Sequence, residues 1–241
     1  MAGQRYKSPF GPAEVLEEPD IRRLLAGCSQ RAPTGVRNRA LILTLWRAGL
    51  RIDEALTLGP RDVKLDDEQP VIRVRRAKGD KQRTVGLHPE ARDALRRWLE
   101  VRRVRGCDER RPARAPRRLF CTLDGGQLDS SYVRHLLRRL ARKGGVERRV
   151  HPHAFRATLA VEMCVEGVPL PAIRDVLGHT NLSVTDAYLR RVFPEQAIDA
   201  VRNRRSGTPQ QDRSGELRAL LDEIAPADAA RLVQLLTRLA A

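Results

Sequence analysis

Aromatic residues are scarce in this chain, at 4% of 241 residues with three tyrosines in all, so a tyrosine in a structured place stands out. Lysine is scarcer than the basic content suggests: 46 basic residues include only 5 lysines, against 41 arginines, which makes each lysine informative. The four cysteines, Cys28, Cys107, Cys121 and Cys164, are scattered with no CxxC pair and no metal-ligand spacing. A disulfide framework and a structural zinc site are therefore not expected, and the thiols read as reduced. No apolar run reaches membrane-spanning length, and the start, MAGQRYKSPFGPAEV, has no signal-type segment, so a cytoplasmic protein with no membrane partner is expected. No internal repeat is visible.

What is abundant is positive charge. A formal charge of +16 and a sequence pI near 11 point to a polyanion as partner, nucleic acid above all. At 41% apolar residues the chain can still bury a core of ordinary size. An RNA-binding protein would share this charge, so the ordered motifs below must decide.

Residues 1–11 read as a basic flexible arm. A helix is expected between Pro12 and Cys28, broken or restarted at Pro19, and a very apolar core helix over Val36–Ala48, closed by Gly49. Arg51 opens a short helix, RIDEALTL, in which Arg51 and Glu54 share a face. Val63–Leu65, Val71–Arg75 and Arg83–Leu87 alternate apolar and polar residues, which predicts a small antiparallel sheet. The turn AKGDK between the last two strands holds Lys78 and Lys81, two of the five lysines. Beyond an amphipathic helix over His88–Arg103, the Pro- and Arg-rich segment 106–118 is expected to be loosely ordered. A short strand over Leu119–Thr122 and a basic helix capped by Asp129 or Ser130 and ended by Gly144 and Gly145 come next, with Arg138 and Arg139 among its arginines.

The stretch HPHAFRATLA places His153 and Arg156 three residues apart at a helix start. PLPAIRDVLGH predicts a short helix ending at Gly178, and LGHTNLSVTDAYLRR puts His179 at that end and Tyr188 on the next helix. A polar break then leads into a Leu- and Ala-rich tail, residues 206–241, with helical spacing suited to docking on a neighbour or on its own body.

These residues suit attack on a phosphodiester. Arginines grip non-bridging oxygens. A phenol is ionised in only roughly one molecule in a thousand at neutral pH, so it needs a base or a strongly positive site. A lysine on a turn can protonate the departing alkoxide. Taken singly, Tyr188 reads as a packing aromatic, His179 as a helix-end cation and Arg51 as a solvated charge. A metal site from His151, His153 and Cys164 is poorly spaced.

In this order, the chain resembles the catalytic domain of the tyrosine recombinase (phage integrase) family over roughly residues 12–200, which implies a catalytic domain over 12–205. AGLRIDEALTL resembles its first-arginine box, AKGDKQRTVGL its hairpin-lysine segment, HPHAFRATLA its HxxR box and LGHTNLSVTDAY its histidine-tyrosine box. The resemblance implies an α+β, mainly helical fold with a small three-stranded antiparallel sheet. It implies a site-specific recombinase or integrase that cleaves and rejoins double-stranded DNA through a 3′-phosphotyrosine at Tyr188. Arg51 and Arg156 would clamp the phosphate, with Lys78 (or Lys81) as general acid. His153 would assist proton transfer, His179 would bond the phosphate, and Glu54 would support the site. Lys81, Arg83, Arg138 and Arg139 are the expected DNA contacts. No metal or other cofactor is implied, and the assembly would be a homotetramer on DNA, with residues 206–241 as a candidate exchanged tail.

Two departures from the family pattern are expected: the N-terminal core-binding domain usual in the family is not expected within these 241 residues, and Ala157 follows Arg156 where the family often has histidine. Relaxation of the type IB topoisomerase kind and a non-cutting DNA-binding regulator remain the alternatives.

Overall fold

The computed structural model describes residues 15–66, 68–74, 82–114 and 116–178. Lys78, Lys81, His179, Tyr188, the 1–11 arm and the 206–241 tail lie outside the described residues.

Seven α-helices and a three-stranded sheet make up the described residues. Helix α1 (Glu18–Ala26) starts with Pro19 in its first turn, the restart rather than the break of the two expected, because a proline there gives up an N–H that has no helical partner anyway. Asp20 accepts from the Glu17 backbone N–H at 3.3 Å, and Ile21, Leu24 and Leu25 are buried. Helix α2 (Pro33–Arg47) is the core helix, with 11 of its 15 residues buried, and Pro33 in the first turn starts it ahead of the expected Val36. It stops at a left-handed Gly49, φ +61°. A side chain there would also collide with Leu159 and Leu177, since a Cβ would lie 2.8 and 2.9 Å from their methyl groups. Glycine is required twice over at this turn.

Helix α3 (Ile52–Thr57) follows directly, then β1 (Val63–Lys64), β2 (Val71–Val74) and β3 (Arg83–Gly86) in the antiparallel order β1-β2-β3. Val71 pairs with Gly86 and Val74 with Arg83, so Ile72, Val74 and Val85 turn inward. Helix α4 (Pro89–Val104) packs on α2 and buries Leu95 and Trp98.

The expectation of a loose 106–118 segment is corrected at its front. Arg102 is only 6% exposed, and a buried guanidinium demands a counter-charge. Asp108 supplies it through two bonds of 2.7 and 2.6 Å, and Cys107 is fully buried beside it. The expected strand at Leu119–Thr122 is reduced to one bridge, Cys121 with Gln127, and Leu119 instead accepts the Trp98 indole N–H at 2.8 Å.

Helix α5 (Ser130–Gly144) is capped by the Asp129 carboxylate, which accepts from the Tyr132 N–H, and closes at a left-handed Gly145. Helix α6 (Pro152–Val165) runs through the interior, and α7 (Leu170–Leu177) closes at a left-handed Gly178. A small satellite core of Leu159, Ala160, Ile173 and Leu177 joins α6 to α7. Thr158, in the middle of α6, accepts the Leu16 N–H at 2.9 Å, tying the first described residues to that helix. Among the described residues no helix is long and apolar enough to cross a membrane.

Candidate active site

The Gly49 turn and the end of α7 bring candidate residues together. The Gly49 turn delivers Arg51 to the N-cap of α3, where extended backbone (φ −68°, ψ 150°) precedes the first helical residue. Glu54, one turn on, accepts the Arg51 backbone N–H at 2.8 Å and its guanidinium at 3.0 Å. This satisfies a helix-start donor and aims the arginine in one stroke. The Arg51 guanidinium also donates a long 3.4 Å bond to the carbonyl of Gly178, at the end of α7.

Arg156 enters from α6. The sequence places it with His153 on one helical face, but the two differ in burial: Arg156 is 1% exposed, while His153 opens to solvent. Arg156 donates to the carbonyls of Gly49 and Leu177. The two arginines therefore converge on consecutive carbonyls, Leu177 and Gly178, immediately before His179. A loop whose carbonyls are held by charged donors is fixed firmly, because each such bond is stronger than a neutral one.

Glu54 also binds Arg83. The Arg83 guanidinium meets both carboxylate oxygens at 2.8 Å, and its Nε donates to the Val176 carbonyl at 3.0 Å. Burial of Glu54 would raise its pKa, but the Arg83 and Arg51 bonds and charges outweigh it and hold the carboxyl down at about 2. Glu54 thus stays ionised in all ordinary conditions. Arg83, expected as a DNA contact, instead turns inward, with a side chain 13% exposed. The sequence carried a signal for this: Arg83 and Val85 lie two apart on one strand, hence on one face, and Val85 is buried.

His153 is held below the ordinary histidine pKa, first by desolvation where its ring abuts the protein, then by the positive charges of Arg156, His151 and Arg51. It is neutral near pH 7 and able to accept a proton. The His151 ring lies 6.4 Å from that of His153, tilted by 24°.

His151 also lines a groove of about 660 Å³ between α5 and the turn leading into α6. Arg134, Arg138 and Arg142 form one wall and Arg148 and Arg149 the other, with no acidic residue among the described residues that line it. The arginines at 148 and 149 escaped the sequence reading, because only the packing of this turn on α5 makes them neighbours of Arg138. Arg139 is exposed but does not line the groove; its charge bears on the buried Cys28 thiol. Among the described residues no cluster of histidine, cysteine and carboxylate groups is arranged to hold a metal ion. Lys78, Lys81, His179 and Tyr188 are outside the described residues, so this geometry concerns Arg51, Glu54, Arg83, His153 and Arg156.

Comparison with known proteins gives a consistent answer. The profile of the phage integrase family matches residues 14–194. The tyrosine recombinase XerA of Thermococcus kodakarensis is 34% identical over 194 residues, covering 78% of this chain and 62% of its own. The tyrosine recombinase XerC of Halalkalibacterium halodurans is 32% identical over 173 residues, covering 72% of this chain and 56% of its own. The chain thus spans about three fifths of the length of these curated relatives. Among solved structures, a XerA recombinase superposes with a TM-score of 0.62 at 27% identity, over 76% of this chain and 65% of its own. XerH bound to a palindromic difH substrate, in a post-cleavage complex, superposes with a TM-score of 0.65 at 25% identity, over 82% of this chain and 56% of its own. The mainly helical fold with a three-stranded antiparallel sheet, expected from the sequence, is the one these structures share.

Proposed function

The chain belongs to the phage integrase family, and from that premise we propose that it is a site-specific DNA recombinase that breaks and rejoins strands through a covalent tyrosine link. The observation that supports this most strongly is the meeting of Arg51 and Arg156 at the end of α7, with Glu54 holding Arg51 in place. Two guanidiniums at one point form a cradle for the negatively charged, five-coordinate phosphorane-like transition state.

In this reading the Tyr188 oxygen attacks the scissile phosphorus, the bond to the 5′ oxygen breaks, and a 3′-phosphotyrosine and a 5′-hydroxyl result. The phenolic proton leaves to a base, for which neutral His153 is suited. The departing oxygen takes a proton from Lys78, and His179 donates to the phosphate. The phosphotyrosine conserves the energy of the broken bond, so the reverse attack by a 5′-hydroxyl reseals DNA without a nucleotide or metal.

Double-stranded DNA is the substrate in this reading, and the basic groove beside His151 and Arg138 is its track toward the site. Charge complementarity supports that path, as does the short step from the groove's His151 to His153. The XerH structure holds a palindromic DNA, and a palindrome presents two equivalent half-sites. The working assembly is accordingly a tetramer on two such DNAs, with the 206–241 tail, whose leucines recur at helical spacing, docking on a neighbouring subunit.

Covalent trapping tests the proposal. A nicked suicide duplex, selected from random-sequence duplexes with the wild-type chain, becomes attached to the protein, and Tyr188→Phe abolishes the adduct while leaving binding intact. An adduct that persists in Tyr188→Phe overturns the assignment.

A further inference from the structure

Arg83 sits where three parts of the candidate site join, and its contacts are unusual for a residue of a strongly basic surface. Its guanidinium spans both oxygens of Glu54 at 2.8 Å each, a planar fork on a planar carboxylate. Its third donor, Nε, reaches the Val176 carbonyl at 3.0 Å. Gly178 lies flat against it: a Cβ there would sit 2.9 to 3.0 Å from the guanidinium and its adjoining methylene. One side chain therefore touches the carboxylate that aims Arg51 and also the last turn of α7, whose carbonyls receive Arg51 and Arg156.

We propose that Arg83 is a positioning residue for the two phosphate-gripping arginines, locking Glu54 to the end of α7 so that Arg51 and Arg156 keep their mutual placement. The role rests on the strand-cleavage reading above. Three features support it beyond proximity. The side chain is 13% exposed against 41% for Arg51, so it is Arg51 that is left open to a ligand. All three nitrogens of the Arg83 guanidinium are engaged by protein acceptors, two of them by the one carboxylate that aims Arg51. Position 83 is also the first residue of β3, paired with Val74, so the sheet fixes the base of the side chain. A rigid strand is a better mount for such a brace than a loop.

The lock is chemically selective. A lysine offers one compact ammonium and cannot bond both carboxylate oxygens in a plane and the Val176 carbonyl at once. Loss of the fork also removes the largest charge partner of Glu54, whose carboxyl then titrates at higher pH.

The test measures single-turnover adduct formation on the trapped suicide duplex at saturating DNA, together with DNA affinity as a function of salt. The set is wild type, Arg83→Ala, Arg83→Gln and Arg83→Lys, each with and without Glu54→Gln. Expected are cleavage rates lower by roughly 10- to 100-fold for Arg83→Ala, the size associated with small misplacement of reacting groups. Arg83→Lys recovers part of the rate, the acid limb of the pH–rate profile moves to higher pH, and DNA affinity and its salt slope stay as in wild type. In the Glu54→Gln background, Arg83→Ala adds little further loss, because the lock is already open. If Arg83→Ala does not fold, Arg83→Lys and Arg83→Gln read the same quantities. A drop in DNA affinity with a log–log salt slope shallower by about 1, and normal cleavage once bound, overturns the role and makes Arg83 a phosphate contact. A wild-type chain that forms no adduct on any duplex overturns the strand-cleavage reading itself, and this role with it.

Discussion

Arg51 and Arg156 donate to adjacent carbonyl oxygens, those of Gly178 and Leu177, although they come from α3 and α6, far apart along the chain. The contact fixes where two positive charges stand relative to one turn. It also gives Arg156 a structural part, since its guanidinium bridges that turn to the Gly49 carbonyl. Replacement by lysine keeps the charge but loses the bridge. Arg156→Lys is expected to lower single-turnover cleavage by at least about 100-fold, the cost of one preorganised donor, and to lower the midpoint of thermal unfolding as well. A variant that cleaves normally would show that the bridge is dispensable.

Glu54 gives the protein an acid-sensitive joint. Its folded pKa of about 2 lies below the ordinary 4.5, so ionised Glu54 stabilises the fold in full above pH 4.5, and that stabilisation is lost as pH falls toward 2. The shift corresponds to about 3 kcal/mol. Denaturant unfolding of wild type at pH 7 and pH 3 should differ by more than that of Glu54→Gln, and an identical difference in the two proteins would refute the coupling.

His153 should titrate below the usual histidine midpoint of 6.5. Because the folded form resists protonation, the unfolded chain binds more protons in that window, and the His153 contribution to stability rises with pH up to about 6.5. An NMR titration of the His153 ring reads the midpoint directly, and Arg51→Ala should move it upward by removing one repelling charge. A midpoint at or above 6.5 in wild type would contradict the crowding inferred for this ring.

Gly49 is a position where one methyl group matters. Alanine would have to adopt φ +61° and displace Leu159 and Leu177 from the satellite core. Gly49→Ala is expected to destabilise the protein by about 2 kcal/mol or more, read as a lower urea midpoint with an unchanged slope.

Charge along the groove should be visible in salt dependence. Arg138→Ala, which removes a groove-lining cation, should make the slope of log affinity for double-stranded DNA against log salt shallower by about 1, whereas Arg139→Ala, outside the groove, should change it little. Equal effects would place the DNA elsewhere on α5.

Much of this was legible where the code is local. Asp129 and Gly145 bracket α5, Gly178 stops α7, and strict alternation marks Ile72, Val74 and Val85, all because caps, left-handed turns and strand periodicity act within a few residues. Arg51, Glu54, His153 and Arg156 were picked out by their order along the chain, and Arg51 and Arg156 meet at the end of α7. The misses share a cause in tertiary structure. Asp108 anchors the segment after α4 only because Arg102 is buried, and Arg148 lines a groove only because its turn packs on α5. Arg83 was read by its charge, although its place beside Val85 on the strand already turned it inward.

The bond from Leu16 to Thr158 has a mechanical meaning. Thr158 is two residues from Arg156 and meets both the N–H and the carbonyl of Leu16, while Arg148 holds the Val15 carbonyl at 3.1 Å, so tension applied at Val15 is shared between the arginine-bearing turn of α6 and the turn that leads into it. Pulling on residue 15 in a force experiment should load these two turns before it loads the sheet.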